Sequence, residues 1–393
     1  MSGGPIAFDL TEFLGSLVRS GIQRVAFKIA RHWPNAGQLQ PCRVDESGTI
    51  WSLPTQVFDE MAVYFGASPG SPDQAARQLR RYAEGGKILP RRDLDRFSAW
   101  FNPEVFFQPH RIRFYQDLLK TWKSDNVFFM IYDLLPWLHP EWFDQTALPH
   151  TLDYPLLLRR VRHHAFISKQ SRQDFARRFL REDRPLGPAV ALGADSLGVS
   201  APSYDPARRC FAVLGTIEPR KNHLAVLDAF ERLWAVGEEA ELLFLGRMGW
   251  VGSDLEDRVR KLERTQPRFR WCADASDQEL SAQIRRCRAT IYPSHAEGFG
   301  LPPLESLALG VPVIVSEHLP SVQMIASGGQ LRVAQPDSES LVAAVQDLLR
   351  EDTLRRLIDE LRLLDLPTWK AMGQELSGWI ETSLADRAMV AAA

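Results

Sequence analysis

The densest chemistry in this chain lies in AEGFGLPPLESLALGVPVI, residues 296–314, where a glycine-rich loop runs into a helical pattern through Pro302 and Pro303. Proline suits a first helical turn. Gly298 and Gly300 let the backbone come close to a ligand, and amides at a helix start favour an anion. They predict a place where a phosphate fits. Glu297 in the loop and Glu305 inside the helix offer two carboxylates, which suit recognition of hydroxyl groups. The plainer roles are a helix-capping carboxylate for Glu297 and a surface carboxylate for Glu305.

A second constellation, GTIEPRKN at 215–222, sets the adjacent cations Arg220 and Lys221 in another strand-to-helix turn that opens on Gly215. Without a metal, a diphosphate must be neutralised by side chains. Each charged hydrogen bond is worth roughly 1.5–3 kcal/mol. A third stretch, LGRMGWVG at 245–252, has the spacing G-x-x-G-x-x-G and not the dinucleotide fingerprint G-x-G-x-x-G. Gly246 either admits a base or ribose or belongs to an ordinary turn.

The earlier half of the chain is less explicit. RSGIQRV at 19–25 puts Gly21 at a turn and Arg24 nearly one helical turn on. A helix start there completes a phosphate site or simply opens a surface helix. IYDLLPWLHPEW at 131–142 brings Asp133 to the end of an apolar strand, where a carboxylate needs a partner. It could bind acceptor or donor hydroxyls, whereas His139 reads as a satisfied loop histidine. Asp93 and Asp95 form a D-x-D with no apolar strand before it, so no metal site is expected.

The elements that must hold these residues alternate from Phe211 onward. FAVLG, ELLFLG, FRWCA, ATIYP and VPVIVS are separated by amphipathic helical patterns. Short, continuously apolar strands between such helices predict a parallel sheet covered on both faces, with its chemistry at the carboxyl ends of the strands. Strands near residues 7–10, 127–133 and 164–168 and a helix over 22–31 make the first half α/β as well. The turn-rich APSYDPARR at 201–209 divides the two halves. The basic stretch within 67–96 is a solvated surface helix or an acceptor-side insertion, and the apolar spacing of Trp369, Met372, Leu376, Trp379 and Ile380 predicts a final packed helix.

At 393 residues, 45% hydrophobic and 24% charged, the chain is long enough for about two domains. A formal net charge of -2 gives no reason to expect a nucleic-acid partner. Cys42, Cys210, Cys272 and Cys287 lack CxxC spacing and read as reduced core residues. The N-terminus does not resemble a signal peptide, so a cytoplasmic location is expected. Peripheral attachment at the inner membrane face is left open, resting on the basic and aromatic segment at 106–123.

At these residues the sequence resembles glycosyltransferase family 4, retaining enzymes of the GT-B fold, and within it bacterial polysaccharide mannosyl- and deoxyhexosyl-transferases. The resemblance implies two doubly wound Rossmann-like domains facing a central cleft: 1–200 on the acceptor side, 201–367 binding the nucleotide sugar, and 368–393 a helix crossing back. It implies that Glu305 binds donor ribose and that Glu297 contacts the transferred sugar. Arg220, Lys221 and the amides around Phe299 to Leu301 would hold the diphosphate. No metal or other cofactor is expected. Tyr132 departs from many relatives, which have histidine there.

The expected activity is metal-independent transfer of a hexose, with mannose or a related sugar from a GDP-sugar the first choice, to a glycan or lipid-linked acceptor in surface polysaccharide synthesis. Two alternatives are an inactive GT-B scaffold or sugar-nucleotide-binding subunit, and a sugar-nucleotide epimerase or hydrolase of the same fold. A nicotinamide-dependent dehydrogenase is disfavoured by the missing fingerprint.

Overall fold

The computed structural model describes residues 4–122, 124–143, 146–180, 184–249 and 252–392. Lys123 of the basic and aromatic segment and Trp250 and Val251 of the LGRMGWVG stretch lie outside the described residues. The chain forms two compact units: Met1–Leu134 with Gln145–Leu192 and Trp369–Ala393, and Leu135–Asp144 with Gly193–Thr368.

The first unit is built on β1 (Ile6–Asp9), β2 (Leu39–Val44), β3 (Ile50–Ser52), β4 (Lys87–Leu89), β5 (Ala99–Asn102), β6 (Val127–Ile131) and β7 (His163–Phe166), in the order β4-β3-β2-β1-β5-β6-β7. Five of these strands run parallel. β3 runs antiparallel to both its neighbours, β2 and β4, a departure from a purely doubly wound sheet. Residues 45–49 are long enough for a hairpin and too few for a parallel crossover. Asp45 closes that hairpin by accepting from the amides of Ser47 and Thr49.

Two basic segments separate on folding. The helix Pro72–Glu84 buries only Ala75 and Leu79 and leaves Arg77, Arg80 and Arg81 in solvent, as a surface helix does. The helix Pro109–Thr121 is different. Phe106, Phe114 and Tyr115 are interior, and Arg111 is fully buried. Arg111 Nη2 lies 2.8 Å from Asp9 Oδ2 and its Nη1 donates to Thr11 Oγ1. Tyr115 also donates to Asp9, and Trp100 Nε1 donates to the Tyr115 hydroxyl. What reads as an interfacial stripe is the core face of a helix with a buried ion pair at the carboxyl end of β1.

Glu104 shares this interior. Its Oε2 accepts from the Glu12 amide at 3.0 Å. Burial, and then the nearby Asp9 and Glu12, push its carboxyl well above the usual range. A carboxyl raised in the folded state stabilises most below its unfolded value and loses that contribution as pH rises through the folded value. Glu104→Gln is therefore expected to raise the melting temperature at neutral pH and to flatten its decline between acid and neutral pH, as followed by thermal melts.

The final helix, Trp369–Ala392, belongs to this first unit. Trp369, Met372, Leu376 and Ile380 are buried, Trp379 meets Phe128 edge to face at 5.3 Å, and Gly373 lies against the His32 carbonyl, where a Cβ would collide.

The second unit contains β8 (Cys210–Leu214), β9 (Glu241–Leu245), β10 (Phe269–Cys272), β11 (Ala289–Tyr292), β12 (Val313–Ser316) and β13 (Gln330–Val333). All are parallel, in the order β10-β9-β8-β11-β12-β13. Counted from β8 this is 3-2-1-4-5-6, the Rossmann order, whose topological switch point falls between β8 and β11. Arg288, just before β11, is buried and donates to the carbonyls of Leu348, Leu349, Pro206 and Arg208. It ties the end of the helix Ser338–Leu349 to the segment entering β8.

Candidate functional site

The loops that leave β8 and β11 meet at the switch point. Gly215 follows β8 at φ +113 and Gly246 follows β9 at φ +152. A side chain on Gly246 would be driven into the Gly215 backbone. The two loops then zip together as the Gly215 amide donates to Leu245 O, Ile217 to Arg247 O and Gly249 to Ile217 O. Gly246 thus has a packing reason of its own. Gly246→Ala is expected to lower the melting temperature sharply, by forcing both the left-handed backbone and the collision.

Pro219–Lys221 form one 3-10 turn, and Asn222 stops it in the left-handed region at φ 58, its side-chain Nδ2 donating to Pro336 O at 2.7 Å. This turn delivers Arg220 and Lys221 to the loop after β11. Arg220 forms an ion pair with Glu297, lies 2.7 Å from Glu218 Oε1 and donates to Ala296 O at 3.2 Å. Glu297 Oε1 also accepts from Tyr292 at 2.7 Å and Ser294 at 3.0 Å. Lys221 is held more loosely, its Nζ 3.9 Å from Glu297 Oε1 and 3.4 Å from the Tyr292 hydroxyl.

Burial alone would raise the Glu297 carboxyl. Arg220 and Lys221 more than offset it and hold the group at about 2. Arg220 is likewise kept above the usual guanidinium range, burial being outweighed by Glu297 and Glu218. Two cations and two carboxylates balance to a formal charge of zero, so the Arg-Lys pair is not the open cationic patch that the sequence suggests. Arg220 is committed to fixing Glu297, and Lys221 is the cation with the weaker ties.

Beyond Glu297 the loop turns through Gly300 at φ 94 into the helix Leu301–Ala308. A Cβ on Gly300 would press on Ser321 Oγ, and the Ser321 amide donates to Phe299 O. Pro302 and Pro303 carry no N–H, which removes two first-turn donors. The anion-binding amides expected here are therefore those of the turn at Phe299, Gly300 and Leu301. Gly298 is buried just before them, and Glu305, 8% exposed, stands one turn into the helix.

An aromatic stack borders this loop. Trp142 lies 6.0 Å from His295 at an interplanar angle of 20°, and His139 stacks on Trp142 at 4.3 Å. The His295 amide donates to Arg220 O, and its carbonyl is 2.7 Å from His318 Nε2. Sequence reading missed Trp142, His295, Tyr292 and Ser294 as members of one cluster. Glu218, inside GTIEPRKN, and Trp142, at the end of IYDLLPWLHPEW, lay within stretches already singled out.

Gly21, Arg24 and Asp133 belong to the first unit. Gly21 opens the helix Gly21–Arg31, capped by Ser20, which accepts from the Gln23 amide. Arg24 lies 5.8 Å from the Phe65 ring, and Asp133 is half-buried after β6. Tyr132 is buried and donates to Pro103 O at 2.6 Å, a structural use of the position. A Cβ on Gly21 would meet nothing within 4 Å. Gly21→Ala should therefore keep or slightly raise the melting temperature, by up to about 1 kcal/mol of helix propensity; a fall in turnover with unchanged stability would then report on ligand approach.

Fold and site together define the class: a GT-B protein, with two Rossmann-like units and a charged glycine-rich loop at the switch point of the second. Residues 204–361 match the family model described as Glycosyl transferases group 1. Over 213 residues the chain is 32% identical to the serotype-specific mannosyltransferase WbdA of Escherichia coli, a match covering 48% of this chain and 26% of that protein. It is 27% identical over 266 residues to O-antigen chain mannosyltransferase B of Escherichia coli, covering 64% of this chain and 65% of the relative. The match to WbdA thus spans about a quarter of that protein's length.

Among solved structures, sucrose-phosphate synthase from Thermosynechococcus elongatus aligns with a TM-score of 0.61 at 14% identity, over 99% of this chain and 100% of that one. Anabaena Alr3699/HepE, solved with UDP and glucose, gives 0.59 at 12% identity and 99% coverage of both chains. The chain is a GT-B protein that resembles polysaccharide mannosyltransferases.

Proposed function

We propose that this protein is a glycosyltransferase that moves a hexose, with retention of anomeric configuration, from a nucleotide diphosphate sugar to a glycan or lipid-linked acceptor in bacterial surface polysaccharide synthesis. The first-choice donor is GDP-mannose or a related GDP-sugar, favoured by the likeness to WbdA and O-antigen mannosyltransferase B. The observation that carries the reading is the cluster of Lys221, Arg220 and Glu297 beside the Phe299–Leu301 turn at the Rossmann switch point.

In this reading Lys221 and the loop amides take the diphosphate, Glu297 meets the transferred sugar and Glu305 the ribose. Gly215 and Gly246 keep the floor of the site low. Gly21, Arg24 and Asp133 are assigned to the remaining phosphate and hydroxyl contacts from the first unit. Catalysis is electrostatic stabilisation of the departing diphosphate and an oxocarbenium-like sugar, and the diphosphate oxygen accepts the acceptor's proton. No metal is required.

The test is product analysis in EDTA with GDP-mannose and an oligosaccharide acceptor. GDP release that needs the acceptor, with an α-linked product, is expected. Acceptor-independent hydrolysis or a changed sugar nucleotide would favour the epimerase or hydrolase alternative. Binding without turnover on a range of acceptors would favour the scaffold.

A further inference from the structure

Cys210 opens β8 and Cys287 caps the helix Asp277–Arg286. Cys287 Sγ donates to Cys210 Sγ at 3.7 Å. Cys287 belongs to the buried cluster that includes Ala212, Leu243, Ile284 and Val311, and Cys210 packs against it. Cys210 is half-buried and reachable, whereas Cys287 is 1% exposed. We propose that Cys210 and Cys287 are a redox-reactive pair that a small disulfide of the glutathione class converts into an intramolecular disulfide. This inference is independent of the function proposed above.

The asymmetry of the pair sets the order of events. The hydrogen bond from Cys287 holds the Cys210 thiol below its usual range, against burial, and Arg270 adds to this. The same hydrogen bond and burial push Cys287 up. Cys210 is then the attacking thiolate. It displaces one thiolate from the small disulfide and forms a mixed disulfide. Cys287 gives up its proton and attacks Cys210 Sγ, and the second small thiol leaves. Two protein thiols are oxidised, one disulfide is reduced to two thiols, and the two protein protons end on those thiols. The sulfurs need only close from 3.7 Å to about 2 Å.

The other cysteines are poorly placed for this chemistry. Cys42 is fully buried in the first unit, its thiol pushed up by burial and by Asp9. Cys272 packs on the same cluster and is the nearest competitor. The new bond would join the start of β8 to the segment entering β11, where Phe211 already pairs with Ala289, and so lock the two strands whose opposite ends carry Lys221 and Glu297.

The reduced full-length protein is titrated with glutathione disulfide, its thiols are counted under denaturing conditions, and peptides are mapped without reductant. The expected result is loss of two of the four thiols and a mass lower by two hydrogens, with a single cross-link between the peptides of Cys210 and Cys287. Cys272→Ser keeps the loss and Cys210→Ser abolishes it. Retention of four thiols, a mixed disulfide that does not resolve, or a link through Cys272 or Cys42 would overturn the proposal. The wild-type map decides even where a variant folds poorly.

Discussion

Lys221→Ala is expected to lower turnover at least about tenfold, a loss of about 1.4 kcal/mol of transition-state stabilisation, while costing much less stability than Arg220→Ala. The difference follows from their partners. Lys221 makes one long approach to Glu297 and one to Tyr292, so its removal leaves Glu297 with Arg220. Arg220 holds Glu297, Glu218 and the Ala296 carbonyl together. Without it two buried carboxylates lose their main counter-ion, at an expected cost of about 3–5 kcal/mol.

The pH dependence separates the two variants further. Glu297 is held at about 2 in the fold against an ordinary value of 4.5. A depressed carboxyl contributes stability above its unfolded value and loses it as pH falls toward the folded value. In the wild type that contribution, on the order of 3 kcal/mol, fades from about pH 5 downward. Arg220→Ala should flatten the acid limb of the melting curve, its deficit against the wild type being largest above about pH 5 and shrinking as pH falls, and Lys221→Ala should flatten it less. Thermal melts across that range, beside steady-state rates, check both; equal stability losses would remove the distinction between a fixing cation and a binding one.

Arg111→Ala is the second large effect, an expected destabilisation of about 3–5 kcal/mol read by chemical denaturation. Arg111 and Asp9 are both fully buried, 2.8 Å apart. Removing the guanidinium leaves the buried Asp9 carboxylate, among the described residues, with the hydroxyls of Thr11 and Tyr115 and the Thr11 amide. Arg111→Met, which fills the space without the charge, should be nearly as damaging while Asp9 remains. Asp9→Asn combined with Arg111→Met should recover much of the loss, because both charges of the fully buried pair are then gone. A single Arg111→Ala within about 1 kcal/mol of wild type would mean that the pair carries little.

The two cases show where sequence reading works. Uninterrupted apolar runs such as FAVLG and ATIYP have one cheap fate, a strand covered on both faces, so the Rossmann-like fold of the second unit could be read locally. Arg111 could not. In sequence it is one cation among the aromatics of a helix, and its partner Asp9 lies 102 positions away. The same holds for Trp142 and His295, which became neighbours only in the fold; Tyr292 and Ser294 lie close to Glu297 in sequence, but the turn that aims them at its carboxylate has no signature in the residue types. The antiparallel β3 was legible in principle, from the short turn closed by Asp45, but β3 and β4 are strands of three residues that carry almost no periodicity, and no short turn joins them.

In the proposed mechanism the second unit holds a nucleoside diphosphate on Lys221 and the loop amides. Calorimetric titration in EDTA with GDP and GMP, on the wild type and Lys221→Ala, tests it most directly. GDP is predicted to bind at least about tenfold more tightly than GMP, or about 1.4 kcal/mol, with most of that margin lost in Lys221→Ala. Equal affinities for GDP and GMP, or a margin that survives the substitution intact, would contradict the claim.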